Sequence, residues 1–109
     1  MSKAPTEQID RIKEMESYLD EVTEAVKGLS GALTDYLAVR EKYYKLEEYY
    51  ESEKWMEDFE ADEAGKIPKR VKRGVLSEDT LFDLITEHER LLERIEAASI
   101  EESASADLI

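Results

Sequence analysis

The chain has 109 residues, with 28 acidic against 15 basic side chains for a net charge of −13, four glycines, two prolines and no cysteine. Disulfides, thiolate metal sites and a cysteine nucleophile are therefore excluded, and the acidic excess repels phosphate backbones and anionic bilayers over the screening length. So few turn-forming residues leave little room for strands, and the composition points to an all-α fold in one domain over residues 1–98.

A polar arm leads to Pro5 and Thr6, where Thr6 is the expected N-cap of a first helix. Ile12, Met15, Leu19, Val22, Val26, Leu29, Leu33 and Tyr36 then recur at steps of three and four, the heptad spacing of a coiled-coil-like seam that needs a partner helix. Gly28 and Gly31 fall outside the seam, which keeps its phase past them, so one long helix is expected rather than two short ones. Beyond Tyr36 the apolar stripe steps sideways onto Val39, Tyr43, Leu46 and Tyr50, with Tyr44 and Tyr49 beside it. That step predicts a change of packing partner near residues 36–40.

A short second helix is expected within residues 51–64, capped by Ser52 and apolar at Trp55, Met56 and Phe59. Gly65 sits where a helix end favours a left-handed residue, and Pro68 stops any continuation. After a basic connection, Ser77 caps a third helix and Leu76 staples onto Leu81. Its broad apolar face is Leu81, Leu84, Ile85, His88, Leu91, Leu92 and Ile95, and residues 99–109 read as a disordered acidic tail.

The expected architecture is a helical hairpin: the N-terminal half of the long first helix packs antiparallel with the third, and the short helix and basic connection cover its tyrosine-rich half. Two helices leave apolar sides over, so a homodimer is the expected remedy. No apolar run reaches the length of a membrane span and MSKAPTEQ has no hydrophobic signal core, so a cytoplasmic protein without membrane partners is expected.

Five acids (Glu57, Asp58, Glu60, Asp62, Glu63) precede five bases (Lys66, Lys69, Arg70, Lys72, Arg73), and the two blocks cancel. The favoured reading is structural, with the connection folding back on carboxylates; the alternative is a basic strip for a partner. Asp58, Glu60 and Asp62 alternate like calcium ligands, but the glycine and closing glutamate of a calcium loop are missing. His88 lacks a glutamate three positions before it and a histidine four after it, so it reads as a seam residue beside a tyrosine or glutamate. Neither a nucleophile on a tight turn nor a glycine-rich phosphate loop is present, so no catalytic residue and no cofactor or metal site is assigned.

The order YYESEKWMEDFEADEAGKIPKRVKRGVLSED, with its Tyr-Tyr, Ser-x-x-Trp and Lys-Arg-Gly-Val-Leu-Ser-Glu-Asp runs, resembles a bacterial family known as domain of unknown function 4298. That resemblance implies a small helical protein without an assigned activity. The function expected is a non-enzymatic protein-protein interaction, through Tyr43, Tyr44, Tyr49, Tyr50, Trp55, Asp58, Asp62, Lys69, Arg70, Lys72 and Arg73, with the partner unidentified. A second reading is an acidic nucleic-acid mimic that fills a basic groove, although residues 66–73 would interrupt its row of carboxylates.

Overall fold

A computed structural model describes residues 3–107, with side chains for residues 3–102. Three helices run in order: α1 (Thr6–Tyr50), α2 (Glu53–Glu63) and α3 (Glu78–Asp107), with a 3₁₀ turn at Gly74–Leu76 before α3. Among the described residues there is no strand. The chain divides into two units, Met1–Glu41 and Lys42–Ile109, a division that the expected single domain over residues 1–98 does not anticipate.

Within the first unit, α1 starts one residue earlier in its capping than the sequence suggests. The Pro5 carbonyl accepts from the amides of Gln8 (3.0 Å) and Ile9 (3.1 Å), which puts Thr6 inside the first turn. The helix then passes unbroken through Gly28 and Gly31. Its seam, from Ile12 to Leu33, is 50–71% exposed, so the burial expected of it is not found. A single helix has no second surface on which to close such a seam.

The second unit holds the core, which is made of Trp55, Leu76 and Leu81, with Leu46, Tyr49, Tyr50 and Phe59 packed around it. Helix α1 ends after Tyr50, and Ser52 joins it to α2: its hydroxyl donates to the Tyr49 carbonyl (2.6 Å) and accepts from the Trp55 amide (3.4 Å). At the far end of α2 the amides of Gly65 and Lys66 return to the carbonyls of Asp62 (3.0 Å) and Ala61 (2.9 Å), a Schellman closure. Gly65 has φ +72°, a conformation that a side chain disfavours and that no non-glycine described residue adopts.

Ser77 stands at the cap position of α3 in extended conformation, as expected. Leu76 before it and Leu81 after it are both buried in the core, the latter only 2% exposed, which is the geometry of a hydrophobic staple. Tyr43 lies two turns before Tyr50 in α1, and it stacks on His88, two turns after Leu81 in α3; Tyr50 packs on the cluster that contains Leu81. Rising numbers meet falling ones, so the last turns of α1 run antiparallel to the first turns of α3, whereas the expectation from the sequence assigns that pairing to the N-terminal half of α1. The tail expectation needs correction: α3 continues through Asp107, past the Ser99 boundary set for disorder. Its alanines and glutamates are strong helix formers even without an apolar stripe. Leu108 and Ile109, the end of that tail, lie outside the described residues.

Candidate functional site

The residues singled out in the sequence converge on the second unit, where the structure sorts them into interior and exterior groups. Trp55 is interior, 7% exposed. Its ring lies across Phe59 (centroids 5.2 Å apart, planes 18°) and edge-on to Tyr50 (5.1 Å, 76°), and its indole N–H donates to the Val75 carbonyl (2.7 Å). This bond satisfies the one polar atom of the ring and ties the end of the basic connection to α2. Tyr43 is also buried; its ring stacks on His88 with centroids 3.8 Å apart and its hydroxyl donates to Glu47 (3.2 Å). His88 therefore sits beside a tyrosine, in keeping with the seam role expected of it.

Tyr49 is half-buried and its hydroxyl donates to the Asp58 carboxylate (2.6 Å), which links the end of α1 to the middle of α2. Burial foremost, then this bond and the charge of Asp58, push the phenol up from 10.0 to about 12. Tyr50 is half-buried against Trp55, whereas Tyr44 is exposed, edge-on to Tyr43 (5.5 Å, 65°).

The charge reversal resolves into two unequal parts. Arg73 folds back: its guanidinium pairs with Asp62 (2.5 Å) and donates to the carbonyls of Pro68 (2.7 Å) and Ile67 (3.3 Å). The other four bases, Lys66, Lys69, Arg70 and Lys72, are exposed and enter none of the ion pairs found among the described residues. One guanidinium thus holds the loop while four charges remain available on it. The Val71 amide closes a turn onto the Pro68 carbonyl (3.0 Å), so the backbone of the loop is fixed at both its ends and its middle.

Beside the loop lies an open cleft of about 580 Å³ between the end of α2 and the start of α3, walled by Asp62, Glu63, Glu78 and Asp79, with Phe59 and Leu76 at its apolar side. Arg73 also lines it. Among the described residues no group of three carboxylates, histidines or cysteines is placed to hold a metal ion, and no helix is long and apolar enough to cross a membrane.

Of the residues singled out in the sequence, Tyr43, Tyr49, Tyr50, Trp55, Asp58, Asp62 and Arg73 make contacts within the second unit, and their pairings are not legible from spacing. Arg73 does not differ in type from Arg70, and only the folded chain distinguishes the latch from the free base. Val75 gave no signal, because its contribution to the Trp55 bond comes from its backbone.

With three helices and no strand among its described residues, and with α2 and the basic connection that leads into α3 held together in one clasp by the Trp55 and Arg73 bonds, the molecule is a small acidic all-α protein. The chain belongs to the family described as Domain of unknown function (DUF4298), whose profile matches residues 12–97. No curated protein and no solved structure matches it.

Proposed function

We propose that this protein is non-enzymatic and cytoplasmic and acts by protein-protein association, with a second copy of itself as the first partner. The observation that carries this reading is the exposed seam from Ile12 to Leu33. From Leu19 to Leu33 the positions flanking the seam, Thr23, Ala25, Ser30 and Ala32, are uncharged, while Asp20, Glu21, Glu24 and Lys27 lie at positions away from it; Glu16 flanks the seam beside Met15. Over Leu19 to Leu33 two such faces can therefore meet without burying a charge, despite the −13 carried by each chain. Residual repulsion between the acidic outer faces is damped within about 8 Å at physiological ionic strength.

Length gives the same direction. Helix α1 has 45 residues and α3 has 30, so α3 is too short to cover all of α1. In the second unit Leu84, Leu91, Leu92 and Ile95 form a further exposed apolar face on α3. Each seam side chain that becomes fully buried contributes about 1.5–3 kcal/mol, so a few layers suffice to stabilise a dimer.

Light scattering after gel filtration tests the proposal. A dimer mass at tens of micromolar is expected, and Leu19→Glu with Val26→Glu is expected to return it to monomer; a wild-type monomer under those conditions overturns the reading.

A further inference from the structure

We propose that the connection between α2 and α3 is a docking surface for a short acidic, apolar-punctuated segment of a partner protein. Four bases, Lys66, Lys69, Arg70 and Lys72, stand exposed on it without ion-pair partners among the described residues. Val71 (45% exposed) lies among them and Val75 (39%) follows them, so the loop offers apolar contact and positive charge together. In a chain of net charge −13 such a patch is felt only at close range, by a ligand already at the surface.

The loop is organised before any partner arrives. Arg73 spans Asp62 and the carbonyls of Ile67 and Pro68, Trp55 holds the Val75 carbonyl, and Gly65 turns the chain out of α2. Fixing the backbone in advance removes an ordering cost that binding would otherwise incur. Arg73 serves this end by folding inward, which leaves the other bases facing solvent.

Charge on either side of the loop selects the class of partner. Asp62 and Glu63 precede it and Glu78 and Asp79 follow it, all four at the adjoining cleft. A short peptide can confine its carboxylates to the loop. A continuous phosphate backbone or a flat anionic bilayer must also approach those four acids, and residues 66–75 contain no aromatic ring on which a base could stack. The apolar residues between the bases likewise suit a peptide that alternates Glu or Asp with Leu. This surface is independent of the α1 seam.

The test is fluorescence anisotropy of a labelled Glu/Asp/Leu peptide titrated with the full chain. The peptide is expected to bind, more weakly as salt rises, and to lose at least about tenfold in affinity with Lys69→Glu, Arg70→Glu and Lys72→Glu combined. Neutral Gln replacements at the same three positions give a smaller loss, and helicity by circular dichroism confirms that both variants fold. Val71→Ser is expected to weaken binding about threefold, and Arg73→Ala to weaken it while leaving all four bases in place. Absence of peptide binding, affinity indifferent to charge reversal, or tighter binding of a single-stranded oligonucleotide or phosphatidylserine vesicles overturns the proposal.

Discussion

Residues 6–41 and residues 42–107 are both largely helical, yet different terms hold each together. Residues 42–107 have a core, a hydrogen-bonded indole, an arginine latch and a stapled helix start. Residues 6–41 have backbone hydrogen bonds and propensity, with their apolar side chains exposed. An isolated helix in water is marginal even with favourable residues, whereas a packed one draws on burial. A heptad seam is therefore a requirement that the first unit states and does not itself meet.

Substitutions that break the core separate the two regions most widely. Trp55→Ala removes the largest interior side chain and the bond to Val75, and is expected to destabilise the second unit by about 3–5 kcal/mol, read as a lowered urea midpoint. The equivalent change in the first unit, Leu29→Ala, is expected to leave the stability of the monomer nearly unchanged.

The glycines sharpen the contrast because the same replacement acts with opposite sign. Gly65→Ala places a side chain at φ +72° and is expected to cost about 1–2 kcal/mol. Gly28→Ala and Gly31→Ala meet nothing within 4 Å, and each should stabilise α1 by about 1 kcal/mol. Thermal melts followed by helix dichroism distinguish these outcomes.

The smallest effect is a pH dependence set by Tyr49 in the second unit. The Tyr49 phenol is held at about 12 against 10.0, so the folded chain binds this proton more tightly than the unfolded one. That contribution is complete below pH 10.0 and disappears as pH rises through about 12. The stability difference between wild type and Tyr49→Phe is expected to narrow across that window, measured as urea midpoints at a series of alkaline pH values.

Local chemistry made much of the second unit legible in the sequence. Ser52 as a cap, Gly65 as a left-handed closure and the Leu76–Leu81 staple depend on residues within one or two turns, and each is found where the spacing puts it. Contacts between distant positions were not legible. The Trp55 bond spans 20 residues and the Arg73–Asp62 pair 11, and nothing in composition selects Arg73 over its basic neighbours. Periodicity has the same limit along α1: it identifies a face that needs covering but not the molecule that covers it. Along residues 99–107 missing periodicity does not mean missing helix, because Glu101 and Glu102 favour helix without packing.

Trp55 is the only tryptophan in the chain, and it is enclosed by Phe59 and Tyr50 at the base of the clasp. The indole emission of this protein consequently originates from one corner of one unit. It shifts when that corner opens and is silent about the seam. The molecule carries its own optical gauge, by which loosening of the clasp can be followed without a label and told apart from association along α1.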